Sequence, residues 1–181
     1  MESIIKTDLY RYGGLKGYKG FIRGLMIPGF RYTFLLRKAS LYKKRSPLGI
    51  VYRLLLRKYS YKYGFQIPAT TKIGEGFYIG HFGNVVVNQS AIIGKNCNIS
   101  QGVTIGKAYR GKLDGAPTIS DKVWIGANAI VVGNIKIGSN VLIAPGSYVN
   151  FDVPDNSIVI SNRCKIVESE NATDGYINNL L

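Results

Sequence analysis

Histidine and tryptophan each occur once among the 181 residues, cysteine occurs twice, and the 10 acids are outnumbered by 24 lysines and arginines. A single histidine excludes a metal centre built on several imidazoles. Cys97 and Cys164 lie far apart with no histidine or cysteine at ligand spacing, so neither a disulfide framework nor a metal site is expected, and a reducing, cytoplasmic setting fits. No apolar run reaches the roughly 18 residues of a membrane span, and the start of the chain lacks the basic-then-apolar order of a signal peptide. Low-complexity sequence is also missing. With 46% hydrophobic and 19% charged residues the composition is that of a globular chain, long enough for one principal architecture.

The net charge of +14 is concentrated at one end. Residues 1–64 hold fifteen of the 24 basic residues against only Glu2 and Asp8, a local +13, which leaves +1 for the other 117 residues. Within this segment Ser46-Pro47 is a helix start and Gly64 a helix stop. Between them Tyr52, Leu55, Leu56, Tyr59 and Tyr63 form an apolar stripe with Arg53 and Arg57 opposite it. The segment is expected to be helical, either capping the next domain or offering a surface to polyanions or to an anionic membrane face.

Beyond it the spacing changes character. Ile119, Ile125, Val131, Ile137, Ile143 and Val149 follow one another at intervals of six. Val87, Ile93, Ile99 and Ile105 keep the same interval, as do Ile73 and Ile79, with two extra residues between Ile79 and Val87. A period of six matches neither a helix nor simple strand alternation. It matches a triangular solenoid in which each hexad gives a short strand and a turn, the aliphatic residue points to the axis, and Gly or Asn takes the corner. Three hexads make one coil, and coils stack at the strand spacing of about 4.8 Å.

The stretches "KIGEGFYIGHFGNVVV", "KNCNISQGVTIG", "VWIGANAIVVGNIKIGSNVLIAPGSYV" and "VPDNSIVISNRCKIV" resemble the hexapeptide-repeat acyltransferases, most closely the serine acetyltransferase branch, over roughly residues 66–167. The resemblance implies a mainly β fold, a left-handed parallel β-helix of hexapeptide repeats with a helical amino-terminal segment. The expected organisation is a basic helical segment at 1–64, a β-helix at 65–167 with a protruding loop at 107–118, and a tail at 168–181. It also implies acetyl-CoA as co-substrate without a metal, and a homotrimer with the cofactor groove between subunits.

His81, in "IGHFGN", sits where the six-residue register slips by two, so that the coil must bulge and present a side chain. In the resembled family this is the general base. The chemistry requires one, because a hydroxyl attacks a thioester only as its proton leaves, and imidazole, with a reference pKa of about 6.5, can take that proton and return it to the departing thiolate. Cys97, in a repeat turn with no second histidine to activate it, reads as a small core residue. The family match assigns Gly106, Ala127, Ala144 and Pro145 to the cofactor groove. Lys107, Arg110 and Lys165 are candidates for the CoA phosphates. The loop is expected to reach the active site of a neighbouring subunit, with Asp114, Asn84 and Gln101 as acceptor-binding candidates. The group that orients His81 is left open between a backbone carbonyl, Asn84 and Gln101.

Serine acetyltransferases carry an Asp-Ile-His-Pro-like stretch before the histidine, an acid directly preceding it and Arg-His-Pro in the loop, which hold the amino acid and orient the base. Here the matching stretches are Gln66 to Ala69 ("QIPA"), Gly80 and Gly115 to Pro117 ("GAP"). A free amino acid needs a carboxylate for its ammonium and a cation for its carboxylate. Neutral residues at those positions point instead to a hydroxyl of a sugar or of a bacterial surface polysaccharide such as capsule or exopolysaccharide. L-serine or another small molecule is the alternative. A γ-type carbonic anhydrase shares the solenoid but needs three histidines. A nucleic-acid-binding module would use the basic segment yet leave His81 and the loop without purpose, so a nucleic-acid partner is not expected.

Overall fold

The computed structural model describes residues 3–161 and residue 168. Four helices come first: α1 (Ser3–Tyr10), α2 (Gly17–Met26), α3 (Pro28–Leu41) and α4 (Pro47–Tyr63). The boundaries read from α4's sequence hold. The Ser46 hydroxyl accepts from the Gly49 N–H at 3.1 Å, Pro47 occupies the first turn, and Gly64 closes the helix at φ 76°, a left-handed conformation that favours glycine. Tyr52, Leu56, Tyr59 and Tyr63 pack inward on α3 and the first coil, whereas Leu55 is more than a third exposed.

Fourteen short strands follow, three to a coil. The first coil holds β1 (Phe65–Gln66), β2 (Lys72–Ile73) and β3 (Tyr78–Ile79), and the second β4 (Val85–Val87), β5 (Ile92–Ile93) and β6 (Asn98–Ile99). The third holds β7 (Thr104–Gly106), β8 (Thr118–Ile119) and β9 (Trp124–Ile125), and the fourth β10 (Ile130–Val132), β11 (Lys136–Ile137) and β12 (Leu142–Ile143). The last has β13 (Tyr148–Val149) and β14 (Ile158–Val159), with a single bridge from Val153 to Ile137 between them. All pairings are parallel and make three flat sheets: sheet 1 (β1-β4-β7-β10-β13), sheet 2 (β2-β5-β8-β11) and sheet 3 (β3-β6-β9-β12-β14).

The aliphatic hexad residues stack in register inside this prism. Val87, Ile105, Val131 and Val149 form one column, Ile93, Ile119 and Ile137 a second, and Ile79, Ile99, Ile125 and Ile143 a third, all buried. Each contributes about 1.5–3 kcal/mol by leaving water. The pairing extends the repeat past the limits of the hexad pattern, back to Phe65 and on to Val159. Cys97 lies within the buried core, where burial pushes its thiol pKa up, so it is a core residue and not an activated nucleophile. Asparagine supplies the left-handed corner residue at Asn96, Asn128, Asn140 and Asn156, φ 56–58°.

An open coil would expose a row of unpaired backbone groups, and the helices cover it. The Tyr32 hydroxyl meets the backbone of Phe65 and Ile67, Arg37 donates to the carbonyls of Ile73 and Gly74, and Arg11 donates to that of Gly76. The Asp8 carboxylate accepts from the Phe77 N–H at 2.9 Å, and the Tyr12 hydroxyl accepts from the Ile79 N–H at 3.1 Å. Gly29 of α3 lies so close to β3 that a Cβ would stand 2.0 Å from the Ile79 carbonyl oxygen. Part of the basic segment is therefore structural: Arg11, Arg31, Arg37 and Arg53 spend donors on backbone carbonyls.

Candidate active site

The two register breaks fall on different edges of the prism. A regular coil takes 18 residues, as from Val87 to Ile105, whereas the coil from Ile67 to Val87 takes 20 and that from Ile105 to Val131 takes 26. The two extra residues lie between β3 and β4, on the edge joining sheets 3 and 1, and here His81 and Phe82 project into solvent. The eight extra residues follow β7, on the edge joining sheets 1 and 2.

Below His81 the same edge continues as a ladder of corner backbone. Gly102 N–H donates to the Asn84 carbonyl, Asn128 N–H to the Gln101 carbonyl at 2.9 Å and Gly146 N–H to the Ala127 carbonyl at 2.8 Å. The fold therefore brings His81, Asn84, Gln101, Ala127, Ala144 and Pro145 onto one line. Ala127 and Ala144 are half-buried small residues on that edge, and Pro145 is exposed. Among the described residues no hydrogen bond holds the His81 ring, so neither Asn84 nor Gln101 is bonded to it here.

Gly106, Lys107, Arg110 and Asp114 are not on that line. They belong to the loop edge, across sheet 1. The loop is itself ordered: Ala108 and Gly115 exchange hydrogen bonds of 2.9 and 3.1 Å, a 3₁₀ turn spans Gly111–Leu113, and the Leu113 carbonyl accepts from the Asn134 N–H at 2.9 Å. Within the loop Leu113 and Ala116 pack against the core. Lys107 reaches Asp114 at 3.9 Å and stands over the Tyr109 ring, while Arg110 faces solvent at the tip. Lys165 lies outside the described residues.

Sheet 1, between the two edges, carries a groove of about 1090 Å³ roofed on one side by α4. Gln66 and Val86 line it at the histidine side, and Asn88 and Gly106 at the loop side. Its other wall is the Arg53, Arg57, Ser60 and Tyr61 face of α4. In the sequence Arg53 and Arg57 stand opposite the apolar stripe of an amphipathic helix. What that face meets depends on the angle at which α4 leaves the first coil, which no local pattern encodes.

Three flat parallel sheets wound into a prism are the architecture of the hexapeptide transferases, and a family model described as "Bacterial transferase hexapeptide (six repeats)" matches residues 116–150. A serine acetyltransferase of Synechococcus elongatus is 40% identical over 144 residues, 79% of this chain and 58% of that protein. The putative colanic acid biosynthesis acetyltransferase WcaB of Escherichia coli is 35% identical over 121 residues, 67% of this chain and 72% of that one. Among solved structures, the soybean serine acetyltransferase apoenzyme aligns at TM-score 0.74 with 30% identity, covering 91% of this chain and 68% of that chain. The chain belongs to the hexapeptide-repeat acyltransferase family, on its serine acetyltransferase-like side, and its solenoid is that family's left-handed β-helix. It spans little more than half the length of the cyanobacterial relative.

Proposed function

We propose that the protein transfers an acetyl group from acetyl-CoA to a hydroxyl of a saccharide, with His81 as general base. The imidazole takes the hydroxyl proton as the oxygen attacks the thioester carbonyl carbon. The carbon–sulfur bond breaks, and the proton passes to the CoA thiolate. The small-residue edge at Ala127, Ala144 and Pro145 would take the pantetheine arm, and Lys107 and Arg110 the phosphates. Because the loop and the histidine lie on different edges of one chain, a complete site needs a second copy, and we propose the homotrimer. The outward ladders of Trp124, Leu142 and Ile158 on sheet 3, and of Ile130 and Tyr148 on sheet 1, supply apolar faces for such contacts.

The observation that carries the acceptor class is the lining of the groove. Gln66, Asn88, Gln89, Ser60 and Thr70 offer neutral donors and acceptors, Tyr61 an aromatic face, and no carboxylate is among them to take an ammonium group. A second reading, L-serine as acceptor, is favoured by the number of serine acetyltransferases among the relatives and structural neighbours. WcaB, named for colanic acid biosynthesis, favours the first. Thiol release from acetyl-CoA, followed across L-serine, N-acetylhexosamines, nucleotide sugars and capsular oligosaccharides, separates the two. Saccharide turnover well above that of L-serine is the expected result, and efficient turnover of L-serine would overturn it.

We also propose that the helical cap meets the anionic inner face of a membrane. No helix among the described residues is long and apolar enough to cross one, so the contact would be peripheral. Asp8, the sole acid between residues 3 and 64, is buried, while Lys19, Arg23, Lys43, Lys44, Arg45, Lys58 and Lys62 are exposed. The outer side of α4 adds Val51 and Leu54, the latter 61% exposed, and α2 adds Ile22 and Met26. Cations around apolar side chains are the two signals that interfacial binding needs. Co-sedimentation with vesicles containing phosphatidylglycerol, but not with pure phosphatidylcholine, is expected, and Leu54→Glu should weaken it. Equal recovery with both vesicles would sink the idea.

A further inference from the structure

We infer that the groove between α4 and sheet 1 binds the acceptor as an anion, so that the natural acceptor is a negatively charged saccharide and Arg57 with Tyr61 is its recognition pair. This rests on the saccharide reading above and makes it more specific. Successive residues of α4 turn by about 100°, which divides the helix into three faces. Tyr52, Leu56, Tyr59 and Tyr63 pack inward, Val51, Leu54, Leu55 and Lys58 look outward, and Arg53, Arg57, Ser60 and Tyr61 look into the groove.

The charges on the groove face are of one sign. Lys44, Arg53 and Arg57 line the groove with no acid beside them. Arg53 is already engaged, donating to the carbonyls of Tyr42 and Gly49, both at 3.2 Å. Arg57 forms no salt bridge among the described residues; its guanidinium lies 5.9 Å from the centroid of the Tyr61 ring. Tyr61 is 78% exposed, and with the guanidinium over one face of its ring the pair presents an aromatic surface with a positive charge against it. Such a surface stacks on a sugar or base while the cation meets a carboxylate or a phosphate. On the opposite wall Gln66, Asn88 and Gln89 read neutral hydroxyl or amide groups. The groove is also large enough for more than one sugar ring, at about 1090 Å³.

The negative charge can sit in the sugar, as a uronate, or in the diphosphate of an activated sugar, and the shared chemistry is an anion carried by the acceptor itself. Binding is measured calorimetrically on the intact protein with three probes: an oligogalacturonate, UDP-N-acetylglucosamine and a neutral N-acetylglucosamine oligomer. The oligogalacturonate or the nucleotide sugar is expected to bind about tenfold or more tightly than the neutral probe, and which of them does so identifies the source of the charge. Arg57→Gln and Tyr61→Ala should each remove most of that preference. Lys136→Gln, the same charge change on the exposed face of sheet 2, should leave it intact and so controls for net charge.

Equal affinity for all three probes, or a preference that survives Arg57→Gln, overturns the inference. Acetyl transfer to a neutral saccharide with no dependence on Arg57 would overturn it while leaving the acetyltransferase reading in place. Arg57-dependent anion binding without acetyl transfer would uphold the groove and remove that reading instead.

Discussion

His81→Ala is expected to lower kcat for acetyl transfer by roughly 10²–10⁴-fold, the usual contribution of a positioned general base, while the melting temperature stays within a degree or two. Both halves follow from the geometry. The imidazole projects from a corner widened by two residues, it is exposed, and no hydrogen bond among the described residues ties it to the coil, so removing it takes nothing from the core. The hydroxyl, in contrast, would have no other imidazole in the protein to take its proton. Steady-state thiol release on wild type and variant, with calorimetric melting of both, checks the expectation. Unchanged kcat would transfer the role of base to another group. A lowered melting point with proportionate loss of activity would make His81 a structural residue. Binding of acetyl-CoA, measured separately, should be the same in both proteins, because the groove candidates lie on later coils.

The other large effect is expected at the cap. Asp8 and Arg37 are 1% and 9% exposed and pair at 2.8 Å, and each also serves the first coil, Asp8 through the Phe77 N–H and Arg37 through the carbonyls of Ile73 and Gly74. Burial raises the Asp8 pKa despite the neighbouring guanidinium, which indicates how strongly this site resists an isolated charge. Asp8→Ala leaves the guanidinium without its counter-ion and a buried N–H without an acceptor. Breaking a buried pair in this way costs about 3–5 kcal/mol. The double variant Asp8→Leu/Arg37→Met should cost much less than the two single changes together, because it leaves no lone buried charge. Denaturant unfolding of the three variants tests this, and additive losses would refute it. Since the cap covers an open parallel edge, light scattering should also rise in the single variants as uncovered coils pair with one another.

The solenoid was legible in the sequence because its cause is local. A buried aliphatic side chain every six residues can be satisfied only if the chain turns a corner between them, and Val131 and Ile137 state that requirement without reference to any distant residue. For the same reason the histidine stood out: two residues too many in a strict repeat must leave the surface somewhere. Asn96 and Asn140 were equally readable, as corner residues that tolerate a left-handed backbone. Family resemblance proposes cofactor-groove roles for Ala127, Ala144 and Pro145, and the corner ladder accounts for why residues so far apart in the chain lie on one line.

The helical segment divides differently. Ser46, Pro47 and Gly64 mark the ends of α4, and the stripe of Tyr52, Leu55, Leu56, Tyr59 and Tyr63 marks its buried face except at Leu55, which the docked helix leaves exposed. The fifteen cations of that segment, however, looked alike in the sequence. Whether an arginine caps a carbonyl of the first coil, lines a groove or faces solvent depends on how four helices sit on the prism, and no periodicity carries that information. The coil, its two interruptions and the residue exposed at the first of them are written in the hexads, because burial every six residues and corner geometry are short-range constraints. Tertiary structure alone decided that Arg37 and Asp8 close the open end, that His81 and the loop occupy different edges, and that Arg57 and Tyr61 face the groove between those edges. Each of these is a relation between segments whose separation in the chain is bridged only when the helices dock on the first coil.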